Sequence, residues 1–285
     1  MSVNILTIDQ VANLVLNEPF PILYLDTCAI LDILRALSLE RPNLIEAAND
    51  VIVAATSSPK RVYLIITEMI NSELAENLPR VNLECEKWVN ETRKRAKVLN
   101  AASKFVGVGS NTTIQNTNII NDYLHKMILI ALRFLENRSI IKIGISDKYS
   151  IWAYNKANKL ENFIKLGKLD ISQELPKLVM NIDALAICIK SDQASNLAAI
   201  DRVAKNLPPS KKGQQSKDCL IIEHIYSLSR RLRSDGFQGK MVFVSSNTND
   251  YCHQGILHPE IKNEFDQLDI EFTTNLTWAK SIIKI

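Results

Sequence analysis

Residues Ile22-Leu23-Tyr24-Leu25-Asp26-Thr27 restrict the fold more than any other stretch of the chain. Four apolar residues follow Pro21, end in a carboxylate, and pass at once into helical spacing at Ala29, Ile30, Ile33, Leu34 and Leu37. A short continuous apolar run of this kind is the habit of a strand covered on both faces, as in a parallel sheet, and the helix after it is then a crossover. Asp26 falls at the C-terminal edge of that strand. In open parallel sheets ligands bind along this edge, near the point where the strand order reverses. The chemistry of the chain therefore depends on what else arrives there.

Other segments repeat the pattern. Ile8 to Leu16 has the spacing of a short amphipathic helix, Leu44 to Ala55 of a longer one, and Val62 to Ile66 is a second buried strand. Thr67 is placed to cap a helix from Glu68 to Leu78, which Pro79 is expected to end. Leu83 to Phe105, Ile119 to Leu135, Ile151 to Leu166 and Leu175 to Ile189 are helical in pattern, with a polar loop at Gly107 to Thr117. Strand character returns only at Met241 to Val244 and Ile270 to Thr273, with helices at Ser216 to Ser234, Pro259 to Leu268 and Leu276 to Ile283. The expectation is an α/β fold with a parallel sheet, a Rossmann-like three-layer domain built from residues 1–80 and 200–285. Residues 81–199 form a large α-helical insertion or lobe, or else an independent helical domain.

Composition sets limits on function. At 285 residues, 46% hydrophobic and 23% charged, the chain can bury a full core in one or two domains. Met1 to Gln10 lacks the basic start and apolar stretch of a signal peptide, and no apolar run approaches the roughly 20 residues that span a bilayer, so a cytoplasmic protein with no membrane partner is expected. Cys28, Cys85, Cys188, Cys219 and Cys252 are odd in number and scattered, which suggests reduced thiols rather than a disulfide framework or a zinc knuckle. A net charge of +3 does not identify a nucleic-acid partner by itself.

Helical geometry singles out further acids. At about 100° per residue, Glu73 falls inside the apolar stripe of Met69, Ile70, Leu74 and Leu78. Asp218 lies within roughly 40° of the centre of the stripe Ile221, Ile222, Ile225, Leu228 and Leu232, whereas Glu223 is nearly opposite it. Inward carboxylates are costly unless they meet a cation or hydrogen-bond donors. Asp250, beyond the Met241 to Val244 strand, belongs to the same sheet edge as Asp26. Four acids from two strand ends and two helix starts make a hard-oxygen site suited to Mg²⁺ or Mn²⁺. Each acid also has a plainer use, as a loop cap, a helix-dipole partner or half of an ion pair.

These segments, taken together, show a resemblance. Leu25-Asp26-Thr27 after a buried strand, Glu73 after the second, Pro208-Pro209-Ser210-Lys211-Lys212-Gly213 running into Lys217-Asp218-Cys219, and Val244-Ser245-Ser246-Asn247-Thr248-Asn249-Asp250 resemble the motif set of PIN-domain nucleases, in a larger PIN-like form with a helical insertion. The resemblance covers about 1–80 and 200–285. It implies a parallel five-strand sheet between helices, a Mg²⁺ or Mn²⁺ site, and metal-dependent cleavage of phosphodiester bonds, usually in RNA. Many PIN domains have Asn after the first Asp-Thr; here that residue is Cys28.

Carried onto this chain, the resemblance makes Asp26, Glu73, Asp218 and Asp250 both the metal ligands and the catalytic residues of an endoribonuclease. Glu73 either binds metal or orients the attacking water. Thr27, Lys211, Lys212, Lys217, Ser245 and Asn247 are the expected substrate-binding residues, with Ser245, Ser246 and Asn247 donating to a phosphate or to the acids, or only closing the turn. Arg202 and Lys205 join the lysines as candidate phosphate contacts, while Arg230, Arg231 and Arg233 sit where a helix C-terminus favours cations anyway. Trp88, Trp152 and Trp278 are expected to pack. His125, His224, His253 and His258 lack metal-ligand spacing. The expected partner is single-stranded or structured RNA, with room for an inhibitor protein or for self-association; toxin, defence effector and RNA-processing enzyme all fit. The competing expectation is a catalytically inactive PIN-like scaffold that binds RNA or a protein. A phosphatase of another α/β family is disfavoured, because Thr27-Cys28-Ala29 supplies no second Asp two positions after Asp26.

Overall fold

Apolar runs bounded by turns become strands, and the periodic stretches between them become helices. A computed structural model describes residues 4–39, 41–107, 155, 165–166, 169–210 and 216–285. Its elements in chain order are β1 (Asn4–Leu6), α1 (Ile8–Asn17), β2 (Ile22–Leu25), α2 (Thr27–Arg35), α3 (Asn43–Thr56), β3 (Tyr63–Thr67), α4 (Glu68–Gly107), β4 (Lys165–Leu166) and β5 (Leu169–Asp170). There follow α5 (Ile171–Leu185), β6 (Ile187–Ile189), α6 (Gln193–Ala204), α7 (Ser216–Ser234), β7 (Met241–Val244), α8 (Thr248–Tyr251), β8 (Cys252–His253), β9 (Ile256–Leu257), α9 (Pro259–Leu268), β10 (Ile270–Thr273) and α10 (Leu276–Ile283). Two compact units result, Met1–Leu83 with Gln173–Ile285, and Glu84–Ser172. The first is α/β. In the second, the later part of α4 is accompanied by the antiparallel pair β4–β5.

The α/β unit is built on a six-stranded sheet in the order β1-β6-β3-β2-β7-β10, and every pairing in it is parallel. All residues of β2, β3, β6 and β7 are buried, as strands covered on both faces require. The chain moves from β2 to β3 in one direction along the sheet and from β7 to β10 in the other. Right-handed crossovers then put α2 and α3 on one face and α9 on the opposite one. The helix neighbours agree: α3 packs on α2 and α10, and α7 packs on α1, α6 and α9. Tyr24, buried on β2, places its Oη 2.9 Å from Ser229 Oγ of α7, so the core's polar tip is satisfied between sheet and helix.

The sequence reading differs from this fold in four places. The sheet has six strands rather than five, because β1 and β6 are three residues each: Asn4–Leu6 is an exposed edge, and Ile187–Ile189 continues an apolar helical pattern without a break. Residues 173–199, expected in the helical lobe, carry α5, β6 and α6 of the α/β unit. Pro79 does not end α4, since the cost of one lost backbone bond is met by the strong helix formers on either side. Glu223, expected to face solvent, is buried, because α7 is covered by α6 as well as by the sheet. The expected loop Gly107 to Thr117 and helices Ile119 to Leu135 and Ile151 to Leu166 fall almost wholly outside the described residues, although Lys165 and Leu166 form β4. Among the described residues, no helix is long and apolar enough to cross a membrane.

Candidate metal centre

The strand order reverses between β2 and β7, and the backbone there is continuous with the acids. Asp26 N–H donates to Val244 O across the ends of these strands (3.0 Å), and Asp26 caps α2. Its carboxylate, 3% exposed, accepts from Thr27 N–H (2.8 Å) on Oδ1, and from Cys28 Sγ (3.0 Å) and Ser245 Oγ (2.5 Å) on Oδ2. Burial raises its pKa; those three donors oppose the rise, and the neighbouring Glu73 charge adds to it.

Glu73, one turn and a half into α4, receives the Thr27 hydroxyl at 2.9 Å on Oε2 and stands 3.6 Å from Lys217 Nζ on Oε1. Asp250 lies on α8, just past β7, and accepts from Asn247 Nδ2 at 2.6 Å. Asp218 sits in the first turn of α7. Burial pushes its carboxyl up to about 7, with the charges of Asp26, Asp250 and Glu73 raising it further. The four acids expected from the sequence are thus within electrostatic reach of one another at one sheet edge.

Most of the expected substrate contacts are engaged with the acids instead. Thr27 donates to Glu73 and Asn247 to Asp250. Ser245, fully buried, donates to Asp26 and accepts from Asn247 N–H at 3.1 Å, so it both serves an acid and closes the turn. Lys217 is half exposed and lies beside Glu73 and Glu76. Lys211 and Lys212 lie outside the described residues.

The other basic residues have structural partners. Arg202 is buried and bonds to Glu223 (2.7 Å), Glu264 (2.5 Å) and Pro208 O (2.5 Å), so it is a clasp rather than a phosphate contact. Lys205 pairs with Asp201. Arg231 pairs with Asp235, and Arg233 donates to the carbonyls of Leu268, Phe237, Gly239 and Asp269. Trp278, expected to pack, is 65% exposed.

No protein-family model, curated protein or solved structure matches this chain. The site must therefore be judged on its own donors. Two further residues belong to it. Tyr251, fully buried, turns its hydroxyl toward Asp218 and so holds that acid's pKa down, while its own is raised by burial and by Asp26 and Asp218. Asp32, one helical turn after Cys28 on α2, is raised by burial, with Ser246, Arg35 and Arg41 opposing. The i, i+4 spacing from Cys28 is a signal that could have found Asp32; nothing in the polar stretch around Asp250 marks Tyr251.

Among the described residues, no three Asp, Glu, His or Cys side chains form a ready coordination shell. The donor set nevertheless fits a hard divalent ion. Mg²⁺ keeps several waters and needs only one or two direct carboxylates, and a set of acids whose charges raise one another suits a hydrated cation between them. Asp26, Asp218 and Asp250 are the residues that can hold it, with Glu73 joining directly or through water.

Proposed function

We propose that this chain is a metal-dependent nuclease, an endoribonuclease, acting through the acids at the β2/β7 edge. One observation carries the reading: four carboxylates from four separate segments come within electrostatic reach of one another at the switch point of a parallel sheet, and their charges add to the burial that raises Asp218 to about 7. A bound Mg²⁺ or Mn²⁺ supplies an activated water and neutralises charge on the scissile phosphate. The chain's own residues prepare for this. Ser245, Cys28 and Thr27 fix the rotamer of Asp26, Asn247 fixes Asp250, and the Thr27 hydroxyl fixes Glu73. Glu73, half-buried at the rim, is placed to orient a water; Lys217 beside it supplies an ammonium for a phosphate oxygen.

The reading is tested by incubating labelled single-stranded RNA with wild-type and Asp26→Asn protein in Mn²⁺ or in chelator. Cleavage that needs both the metal and Asp26 is expected, with the variant folded. Full activity in a nuclease-free Asp26→Asn preparation overturns the assignment. A second reading, an inactive RNA- or protein-binding scaffold, is favoured by the Lys217–Glu73 contact, in which an ammonium already meets one of the acids. It predicts RNA binding with neither metal uptake nor cutting.

A further inference from the structure

The short antiparallel hairpin of β8 and β9 begins two residues after Asp250. It pairs Cys252 with Leu257 and His253 with Ile256 around the turn Gln254-Gly255, in which both residues have positive φ (52° and 80°). Left-handed backbone at both turn residues matches the twist of the strands and fixes the register of the tip. The root is tied to the acid cluster: Tyr251 packs edge-on against Phe243 (5.2 Å between ring centroids), and His258 N–H donates to Tyr251 O at 3.0 Å. Side chains alternate along a strand, so Cys252 turns inward and is buried while His253 turns out. Ile256, opposite His253, is 71% exposed, more than any other large apolar side chain among the described residues. The His253 and His258 rings lie 6.2 Å apart, tilted by 32°, so one imidazole backs the other. Among the described residues, nothing lies within 4 Å of a Cβ placed on Gly255, so the tip is open.

One exposed ring beside one exposed aliphatic chain falls far short of the roughly 800 Å² per partner of a stable protein interface. It suits a single planar base, since unpaired bases are held by stacking on rings, histidine among them. Three residues of chain span at most about 11 Å, which puts His253 within a nucleotide's reach of Asp250. We propose that the β8–β9 tip is a base platform, on which His253 stacks and Ile256 packs against an unpaired nucleobase of single-stranded RNA next to the phosphate held at the acids. This rests on the reading of the acids as a nuclease site and gives that site a preference for single strands. A base inside a duplex is already stacked on both faces and has none to offer the platform.

The test follows, by fluorescence anisotropy in chelator, the binding of a labelled oligouridine decamer to full-length wild type, His253→Ala, His253→Tyr and Ile256→Ser. A decamer of equal charge with every base removed serves as the second probe. His253→Ala is expected to weaken oligouridine binding about fivefold or more and to change binding of the baseless decamer by less than about twofold. Ile256→Ser shifts the two probes in the same unequal way, and His253→Tyr, which keeps a ring, restores wild-type affinity. Unchanged oligouridine affinity in both His253→Ala and Ile256→Ser overturns the inference, as does equal weakening for the two probes or failure of His253→Tyr to restore binding. Mn²⁺-dependent cutting that needs Asp26 leaves the nuclease reading standing in each of those cases. Wild type that binds neither probe overturns the inference, and the nuclease reading with it if Mn²⁺ brings no cutting.

Discussion

Asp26 accepts three hydrogen bonds and its pKa is raised all the same, because burial outweighs the donors. The donors limit that rise and so favour the carboxylate a metal would need. Ser245→Ala removes one of them and leaves Asn247 N–H without its acceptor. We expect roughly 1–2 kcal/mol of lost stability by chemical denaturation, and an acid limb of the cleavage profile displaced to higher pH. Asp218 gives a second test. Its carboxyl titrates near 7 in the fold against an ordinary 3.8, so between those values the native state holds a proton that the unfolded chain has released. Metal-free stability must fall as pH climbs from about 4 to about 7 and be flat in this respect beyond. Asp218→Asn is expected to lack that slope and to be more stable than wild type above about pH 7 by roughly 2–4 kcal/mol, measured by denaturant unfolding in chelator. Equal slopes would show that Asp218 is not the group responsible. These acids were legible in the sequence because each interrupts an apolar pattern or ends one. Arg202 was not: a run of basic residues carries no sign of the two carboxylates that face it from other helices.

At the scale of elements, the clasp around Arg202 holds together α6, α7, α9 and the chain leading into α7. Its guanidinium meets Glu223 and Glu264, the Tyr226 hydroxyl donates to the other Glu264 oxygen (2.7 Å), and Pro208 O accepts as well. A buried ion pair contributes little net stability when intact but costs much when broken, since one charge is left without its partner. Arg202→Ala is expected to cost roughly 3–5 kcal/mol, whereas Arg202→Met with Glu223→Leu loses far less, as a double-mutant cycle of unfolding free energies would show. The same comparison explains what periodicity reads well. Long helices such as α7 were placed residue for residue, since nineteen residues repeat the signal several times. The three-residue β6 was absorbed into the helical pattern before it, because Ala186 and the Ile-Cys-Ile run add buried apolar positions without a turn residue to separate them.

For the molecule as a whole, the decisive feature is where the parallel sheet changes direction. The chain builds outward from β2 on one side to β3, β6 and β1, and on the other to β7 and β10, leaving the crevice at the β2 and β7 ends as the place where residues distant in sequence meet. Four strands were readable, and they include both strands that flank this crevice, which is why the candidate site could be read with an incomplete sheet. Filling the site should stabilise the whole fold by mass action. At about 100 times its dissociation constant, Mn²⁺ is expected to add about 2.7 kcal/mol, seen as a rise in melting temperature for wild type and none for Asp26→Asn. The most direct measurement is an anomalous difference map from a crystal soaked in MnCl₂. A peak bound by carboxylate oxygens of Asp26, Asp218 and Asp250, with Glu73 at its edge, is expected; a map with no peak among these four residues, at a soak that saturates Mn²⁺ sites elsewhere, would contradict their assignment as metal ligands.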